Sequence, residues 1–179
     1  TGLRYESGQK TREIETVFDF SDSMGIVRAA EQCNGSGDCR KSEQFAGTMC
    51  PSYQATRDEK DTTRARANIL REMLTRSNKD NPFDHKEILE VMDLCISCKG
   101  CKSECPSNVD IAKYKAEFLQ HYYDANGTPL RSLLIANITA FNKLGSLLPS
   151  LYNGLLSNKL FSGLLKKFIG FAPGRELPL

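Results

Sequence analysis

Apolar residues recur along this chain at the three- and four-residue spacing of amphipathic helices, and no two segments show the alternation of paired strands. The clearest helix is predicted over residues 62–76. Its apolar residues share one face: Ile69, Leu70, Met73 and Leu74. Its basic residues take much of the remaining surface, which we expect to be solvated: Arg64, Arg66, Arg71 and Arg76. The pattern predicts an all-α fold.

Capping residues and helix breakers predict further helices on both sides of this one. In chain order they run from Ser21 or Asp22 through Met24 to Ala30, from a capping box of Asp84 and Glu87 into Cys95, from a box of Ser107 and Asp110 to Gly127, and from Thr128-Pro129 to Gly145. Shorter helical pieces follow Pro149. Loops between the helices carry the cysteines.

Four cysteines followed by a proline form the most specific motif: Cys95, Cys98, Cys101, Cys105 and Pro106. Their C-x2-C-x2-C-x3-C-P spacing is that of a bacterial-type iron–sulfur site, in which three thiolates of one tight loop converge on one cluster. The fourth cysteine of such a run ligates the other cluster in two-cluster ferredoxins. Structural zinc is the alternative, but zinc sites usually pair two C-x2-C knuckles across a longer gap. The run therefore predicts iron–sulfur chemistry and a second cysteine set.

The second set begins with Cys33 and Cys39 and ends with Cys50-Pro51, but Ser36 occupies the place of its second cysteine. Because both halves end in Cys-Pro, the duplicated frame predicts crossed ligation. One [4Fe–4S] cluster is assigned to Cys50, Cys95, Cys98 and Cys101. The other cluster is assigned to Cys33, Cys39 and Cys105 and lacks one thiolate.

Three outcomes are open at the three-cysteine site, because cluster iron prefers soft thiolate sulfur to oxygen ligands. The site holds a [3Fe–4S] cluster, or a [4Fe–4S] cluster whose fourth iron takes Ser36, Asp38 or an exogenous ligand, or it is empty in an isolated fragment. In the second case the open iron could bind a substrate. For Ser36 itself, the favoured interpretation is a small loop residue that does not bind iron.

Basic residues near the cysteines are candidates for balancing the negative charge of a reduced cluster. Arg57 and Arg64 are the best of these on the N-terminal side, and Lys99 and Lys102 lie within the C-terminal cysteine run. Two histidines stand alone and are expected to be structural: His85 and His121. No pair of acid–base side chains is visible near the cysteines, so no catalytic residue is assigned.

Composition places the chain in a reducing compartment. Its 179 residues include seven cysteines, an odd number at metal-ligand spacing, which argues against a disulfide framework. We expect reduced thiols and a cytoplasmic location. The N-terminus has no apolar signal region, and the chain begins at Thr1 without methionine, so we expect a segment of a longer polypeptide.

The charges are divided unevenly. Residues 125–179 carry a net charge of +5 and residues 1–124 a net charge of −3, and no acidic residue lies between Ala125 and Gly174. The stretch 130–171 is apolar as well as cationic, so it needs a cover. Packing against domains outside this sequence is favoured; an anionic membrane surface, with peripheral contact on its inner face, and a second copy of the chain are the alternatives. Nucleic acid fits poorly, because the rest of the chain is acidic.

These motifs resemble the iron–sulfur segment of the FAD-linked oxidase and iron–sulfur oxidoreductase fusion family, of the D-lactate and D-2-hydroxyglutarate dehydrogenase type. The resemblance covers about residues 15–125 and rests on Cys33-Asn-Gly-Ser-Gly-Asp-Cys39-Arg40, Gly47-Thr-Met-Cys50-Pro-Ser-Tyr53, Ala55-Thr-Arg57, Thr63-Arg-Ala-Arg-Ala-Asn68 and the run from Leu94 to Pro106. It implies an α-helical ferredoxin module between an N-terminal FAD domain and C-terminal cysteine-rich domains. It also implies oxidation of a D-2-hydroxy acid at the flavin and passage of electrons to a quinone, a cytochrome or another carrier.

The resemblance gives a division of the chain into three parts. Residues 1–20 would be a linker after the FAD domain, residues 21–127 the α-helical ferredoxin domain, and residues 128–179 a basic, apolar helical extension. The expected function is electron transfer within a larger oxidoreductase, and the fragment itself is not expected to be catalytic. A structural zinc-binding scaffold and a substrate-binding cluster are the alternatives.

Overall fold

The computed structural model describes residues 11–177, and every regular element in that range is helical. The α-helices are α1 (Ile26–Glu31), α2 (Pro51–Thr56), α3 (Thr63–Arg76), α4 (Lys86–Met92), α5 (Gly100–Glu104), α6 (Ile111–Asn126), α7 (Leu130–Ala136), α8 (Ile138–Gly145), α9 (Pro149–Ser157) and α10 (Lys159–Ile169). Short 3-10 turns lie at Ser21–Ser23, Asp38–Arg40 and Glu59–Asp61. The all-α prediction is confirmed. Half of the expected linker, residues 1–10, lies outside the described residues.

The chain divides into two compact units, Thr1–Asn126 and Gly127–Leu179. In the first unit, α3 is central and packs against α1, α4 and α6. Large apolar side chains from these helices and the intervening loops are fully buried, among them Ile26, Leu70, Leu74, Phe83, Ile88, Met92 and Phe118. The assignment of linker, ferredoxin domain and extension stays a prediction.

Helix α3 begins where the sequence predicts, because the Thr62 hydroxyl accepts a hydrogen bond of 3.0 Å from the Ala65 N–H and caps the first turn. The expectation of a solvated arginine surface is wrong for two residues. Arg66 and Arg71 are buried. Arg66 lies four residues before Leu70, so it belongs to the line of the helix that faces the core. The core accepts its charge because several oxygens surround the guanidinium.

Three other helix starts differ from the sequence prediction. The helix predicted through Met24 is not continuous there: Met24 is 82% exposed, and α1 begins only after Gly25, whose φ of 102° is accessible to glycine. The predicted box at Asp84 does not cap α4, since the Asp84 carboxylate accepts hydrogen bonds from Asn126 and Lys79 instead. At α6, Asp110 is the cap, and its Oδ1 accepts a bond of 3.1 Å from the Lys113 N–H.

A buried carboxylate fixes an N-terminal segment of the first unit. Glu117 of α6 is fully buried and accepts hydrogen bonds from the backbone N–H groups of Val17, at 2.8 Å, and Phe18, at 2.9 Å. Its Oε1 also lies 2.8 Å from Nε2 of His121, whose ring stacks on Phe83 at a centroid distance of 4.4 Å. His121 therefore has structural partners, and so has His85, which bonds the hydroxyl of Ser77.

The second unit contains α7 to α10. The single helix predicted from Pro129 to Gly145 is divided at Asn137, whose side chain donates a hydrogen bond of 2.8 Å to the Leu133 carbonyl. Helix α10 ends at Gly170, which takes the left-handed conformation with a φ of 76°. Across residues 11–177, no helix combines the length and apolarity that a membrane crossing requires.

Candidate metal centre

Four of the seven cysteines line one cavity of the first unit: Cys50, Cys95, Cys98 and Cys101. They come from two loops that lie more than forty residues apart in the sequence. Cys50 and Cys101 are buried, Cys95 is half-buried and Cys98 is exposed, and all seven cysteines of the chain are free thiols. The cavity thus joins the C-terminal cysteine run to the Cys-Pro of the N-terminal loop.

Two contacts hold these loops together. The Glu104 carboxylate of α5 accepts hydrogen bonds from the Thr48 N–H, at 2.7 Å, the Thr48 hydroxyl, at 2.9 Å, and the Met49 N–H, at 3.1 Å. These bonds lower the pKa of Glu104. Beside them, Gly100 lies so close to Thr48 that an added Cβ would be 3.0–3.2 Å from its hydroxyl and backbone. Glycine at this position permits the close approach of the two loops.

The start of α3 faces thiols of both predicted sites. Cys50 Sγ accepts a bond of 2.9 Å from the Thr63 N–H and lies 2.8 Å from the Thr63 hydroxyl. Burial raises the pKa of Cys50 to about 11, and the bonds to Thr63 and the charge of Arg66 oppose that rise. One residue along the helix, the Arg64 N–H donates to Cys39. A helix N-terminus carries partial positive charge, so this arrangement stabilises thiolates.

The start of α6 serves Cys101 in the same way. The backbone N–H groups of Ile111 and Ala112, the first two residues of α6, donate to the Cys101 thiol. Burial raises the pKa of Cys101, and these two bonds oppose the rise. The two longest helices of the first unit thus direct their N-termini at the cysteine loops. Such N–H donors to sulfur are among the interactions that tune iron–sulfur clusters.

Two cations, buried Arg66 and half-buried Lys115, hold the chain segments beside the cavity in place. Arg66, itself a cavity residue, donates through Nε to the Val91 carbonyl at 3.0 Å and through Nη1 to the Asp61 carbonyl at 2.7 Å and the Ser52 hydroxyl at 3.0 Å. Lys115 donates to the Met92 carbonyl, before the cysteine run, and to the carbonyl of Cys95, its first cysteine. The chain segments beside Cys50 and Cys95 are therefore tied to the helices.

The remaining cysteines lie at the other end of the N-terminal loop and after α5. Cys33 follows α1, and buried Cys39 lies in the 3-10 turn Asp38–Arg40. Burial raises the pKa of Cys39, and the proximity of Cys33 adds to the rise. Half-buried Cys105 lies near Tyr114, whose hydroxyl donates 2.8 Å to the Ala29 carbonyl of α1. Their ligation of a common cluster stays a prediction.

The candidate oxygen ligands of this second set have other neighbours. Ser36 is exposed, and its N–H donates to Asn34 Oδ1 at 3.0 Å. One carboxylate oxygen of Asp38 lies 3.7 Å from the Lys41 ammonium. The three thiols Cys33, Cys39 and Cys105 are therefore the donors that suit cluster iron in this part of the first unit.

The thiols of the cavity suit a cluster better than a single metal ion. Within residues 11–177, no three histidine, cysteine, aspartate or glutamate side chains converge closely enough to hold a single ion. A four-iron cluster binds each thiolate through a different iron, so its ligands surround it instead of meeting at one point. Four soft thiols around one cavity, with N–H donors to two of them, fit such a cluster.

The basic residues proposed from the sequence have different surroundings. Lys99 lines the cavity, and Lys102 is exposed on α5. Arg64 lies near Cys39 and Cys33 and pairs with Glu59 at 2.6 Å. Arg57 pairs with Glu43 and lies over the Tyr53 ring, 5.9 Å from its centroid. Their roles toward a cluster stay predictions.

Sequence reasoning missed Thr63 and Lys115 at the cavity and its approaches, and it placed Arg66 on the solvated face of its helix. For Arg66 a signal was available, because a residue four positions before Leu70 on an amphipathic helix shares its buried face. For Thr63, the signal was a pair of threonines at the predicted helix start, where one caps and the next presents its N–H and hydroxyl outward. Nothing in the local pattern marks Lys115.

Comparison with known proteins supports iron–sulfur clusters in this part of the chain. Residues 32–110 match the family model described as a 4Fe-4S dicluster domain. D-2-hydroxyglutarate dehydrogenase of Escherichia coli is 28% identical over 85% of this chain, and that of Pseudomonas putida is 27% identical over 79%. The glycolate oxidase iron-sulfur subunit of Escherichia coli is 31% identical over 56% of the chain. No solved structure matches.

The chain spans only a small part of these relatives. It covers 18% of the Escherichia coli dehydrogenase, 17% of the Pseudomonas putida dehydrogenase and 21% of the glycolate oxidase subunit. The resemblance to the iron–sulfur segment of the FAD-linked oxidase family is confirmed. Residues 32–110 of this chain are similar to the 4Fe-4S dicluster domain family, and the chain is similar to segments of D-2-hydroxyglutarate dehydrogenases and of the glycolate oxidase iron-sulfur subunit.

Proposed function

We propose that this chain is the electron-transfer module of a larger FAD-dependent oxidoreductase that acts on D-2-hydroxy acids. The observation that carries the proposal is the cavity lined by Cys50 together with Cys95, Cys98 and Cys101. These are the four cysteines that crossed ligation assigns to one [4Fe–4S] cluster. The dicluster match over residues 32–110 supports two clusters, and the named activities of the relatives support the substrate class.

The residues around the four thiols would stabilise the negative charge of a reduced cluster and shield it from water. A cluster bound by the four thiolates supplies a one-electron redox centre. The N–H groups of Thr63 and Ile111 donate to ligand sulfurs and so favour the more negative, reduced state. Arg66 adds a buried positive charge beside Cys50. Burial of Cys50 and Cys101 keeps water from that side of the site.

The proposed second site has the sulfurs of Cys33, Cys39 and Cys105. Three thiolates suit a [3Fe–4S] cluster, or a [4Fe–4S] cluster whose fourth iron takes Ser36, Asp38 or an exogenous ligand. Cys39 lies close enough to Cys50 to raise the pKa of the Cys50 thiol, which supports two sites side by side and a short path for electrons between them.

The rest of the oxidoreductase is inferred from the relatives. FAD and the hydroxy acid would bind in a domain outside these residues, and two electrons from each oxidation would leave the flavin singly through the clusters. The acceptor would be a quinone, a cytochrome or another carrier, reached through further cysteine-rich domains. The cytoplasmic location stays a prediction that rests on free thiols.

Anaerobic reconstitution with iron and sulfide tests the proposal. We expect a brown protein with absorbance near ~400 nm and about seven or eight irons per chain, followed by iron and sulfide counting and by EPR of oxidised and reduced samples. A colourless protein that binds stoichiometric zinc and takes up no iron would overturn it in favour of a zinc scaffold.

Two matched serine variants test the ligand assignment. Cys50→Ser should disturb the signal of the four-cysteine cluster and leave the other, and Cys105→Ser should do the reverse. Both variants remove one thiol, and both positions precede a proline. Loss of the cluster bound by Cys95, Cys98 and Cys101 in Cys105→Ser, with its retention in Cys50→Ser, would refute crossed ligation.

A further inference from the structure

The second unit leaves its apolar side chains uncovered. Among its described residues none is buried in α7, α8 or α9, and in α10 only Ser162 is buried. Large apolar residues are exposed throughout: Leu130, Leu133, Ile135, Ile138, Phe141, Leu144, Leu147, Leu148, Leu151, Leu155, Leu160, Phe161, Leu164 and Phe168. This is far more than the scattered apolar residues of an ordinary protein surface. The unit therefore has a surface that some other phase or partner must cover.

Two groups of these exposed residues have a geometry that suits a lipid interface. Leu147, Leu148 and Leu151 lie at and beside the turn from α8 to α9, and Leu147 is 73% exposed. On α10, Leu164 and Phe168 are each 71% exposed and lie four residues apart, so they form a stripe along one side of that helix. An apolar tip and an apolar stripe on short helices suit shallow insertion into a lipid interface.

The charge of the same residues is of one sign. From Ala125 to Gly174 the sequence has no aspartate or glutamate, and the basic residues of this stretch are Arg131, Lys143, Lys159, Lys166 and Lys167. Lys159 and Lys167 are exposed on α10. Lys167 adjoins the stripe of Leu164 and Phe168, so its stem can lie along apolar groups while its ammonium reaches anionic headgroups.

We propose that residues 127–177 form a peripheral binding surface for an anionic lipid membrane. Apolar insertion and attraction to negative headgroups act together in such surfaces, and this unit has the side chains for both. Its helices, the longest of eleven residues in α10, would lie in the interface plane. The proposal is independent of the clusters, since none of the cysteines lies in this unit.

Other covers fit the charge less well. Two copies of the chain would bring two surfaces of net charge +5 together, and this like-charge contact opposes association. A further domain of the longer polypeptide, the cover that the sequence alone favours, would have to offer an apolar face that also carries acidic residues opposite these cations. An anionic bilayer supplies both properties over any area, whatever the positions of the exposed residues.

Co-sedimentation of the reconstituted chain with lipid vesicles tests the proposal. We expect binding to phosphatidylcholine vesicles that contain phosphatidylglycerol, and much weaker binding to pure phosphatidylcholine. Raising the salt from about 0.1 M to about 1 M shortens the Debye length from about 10 Å to about 3 Å and should weaken the binding. The readout does not depend on cluster content, so failure here would leave the electron-transfer proposal standing.

Charge variants separate this surface from general attraction. Replacing Lys159 and Lys167 by glutamine should weaken partition to the anionic vesicles by about 30-fold, the effect expected for two surface cations. Replacing Lys60 and Lys86 by glutamine, two exposed lysines of the first unit, makes the same change in net charge. This control should leave partition within about twofold of the unchanged chain.

Apolar variants test the insertion. Leu164→Gln with Phe168→Gln should weaken partition at least ~10-fold, because two large side chains would no longer leave water. Circular dichroism checks that all three double variants keep their helices. No binding to anionic vesicles would overturn the proposal, and so would equal binding to neutral ones. A dimer in sedimentation equilibrium that these variants dissociate, without vesicle binding, would assign the surface to a second copy.

Discussion

Replacing Arg66 by methionine is the sharpest test of how the two cysteine loops are held. The Arg66 side chain is 2% exposed, and it donates to Val91 before the C-terminal cysteine run and to Ser52 after Cys50. It also pairs with the equally buried Asp61 at 3.5 Å. One guanidinium therefore links both sides of the cavity.

The expected loss follows from what the substitution leaves behind. Methionine keeps most of the apolar stem, but the Asp61 carboxylate stays buried and keeps the hydrogen bond of 2.7 Å from the Thr56 hydroxyl in place of an ion pair. Removing one partner of a buried ion pair costs about 3–5 kcal/mol. For a unit of this size, that corresponds to a fall of about 10–20 °C in the unfolding midpoint.

Arg64→Met is the matched control, two residues away on the same helix. Arg64 pairs with Glu59 at the surface, so its loss should cost less than about 1 kcal/mol. Anaerobic thermal unfolding followed by far-ultraviolet circular dichroism gives the midpoints, and iron counting shows cluster loss. We expect Arg66→Met to lower occupancy of the four-cysteine site. Equal midpoints for the two variants, or an unchanged Arg66→Met protein, would refute the reasoning.

Three further predictions concern contacts around the site. Because the pKa of Glu104 is lowered, its contribution to stability is present above its unfolded pKa of about 4.5 and is lost as the pH falls through its folded pKa. Glu104→Gln should therefore flatten the acid limb of a curve of stability against pH. An unchanged acid limb would count against the bonds to Thr48 and Met49. Gly100→Ala should reduce iron occupancy, measured after reconstitution, because its Cβ would crowd Thr48. Gly163→Ala has open space around its Cβ and should stabilise α10 by about 1 kcal/mol without loss of iron. Equal iron loss in the two variants would contradict the prediction. Glu117→Gln should cost about 1–3 kcal/mol in denaturant unfolding, because an amide leaves a backbone N–H without an acceptor, while the exposed Glu90→Gln should cost nothing measurable.

Local sequence patterns were reliable where the cause is local. The apolar period of residues 62–76 predicts a helix that the structure begins at Thr63, because the Thr62 cap and the period depend only on near neighbours. The cysteine run names its chemistry from spacing alone, and the dicluster match agrees with it. The capping boxes predicted at Asp84 and Ser107 did not form. The Asp84 carboxylate accepts hydrogen bonds from Asn126, 42 residues away, and from Lys79, outside the predicted box.

The burial of the Arg66 guanidinium could not be predicted from the amphipathic pattern of α3. An arginine on an amphipathic helix is assigned to solvent by default, because desolvating it alone is costly. Arg66 is buried because Asp61, Ser52 and Val91 supply oxygens from three different segments. Only the folded chain brings these oxygens together.

The sequence by itself determined that this protein is helical, that its cysteines suit iron–sulfur clusters, and that its last fifty residues are cationic and apolar. These properties depend on residue type and short-range spacing. The tertiary structure decided that Cys50 shares a cavity with Cys95, Cys98 and Cys101, and that the starts of two helices face the thiols. These are contacts between residues far apart in the chain, and they form only when the core between the helices closes.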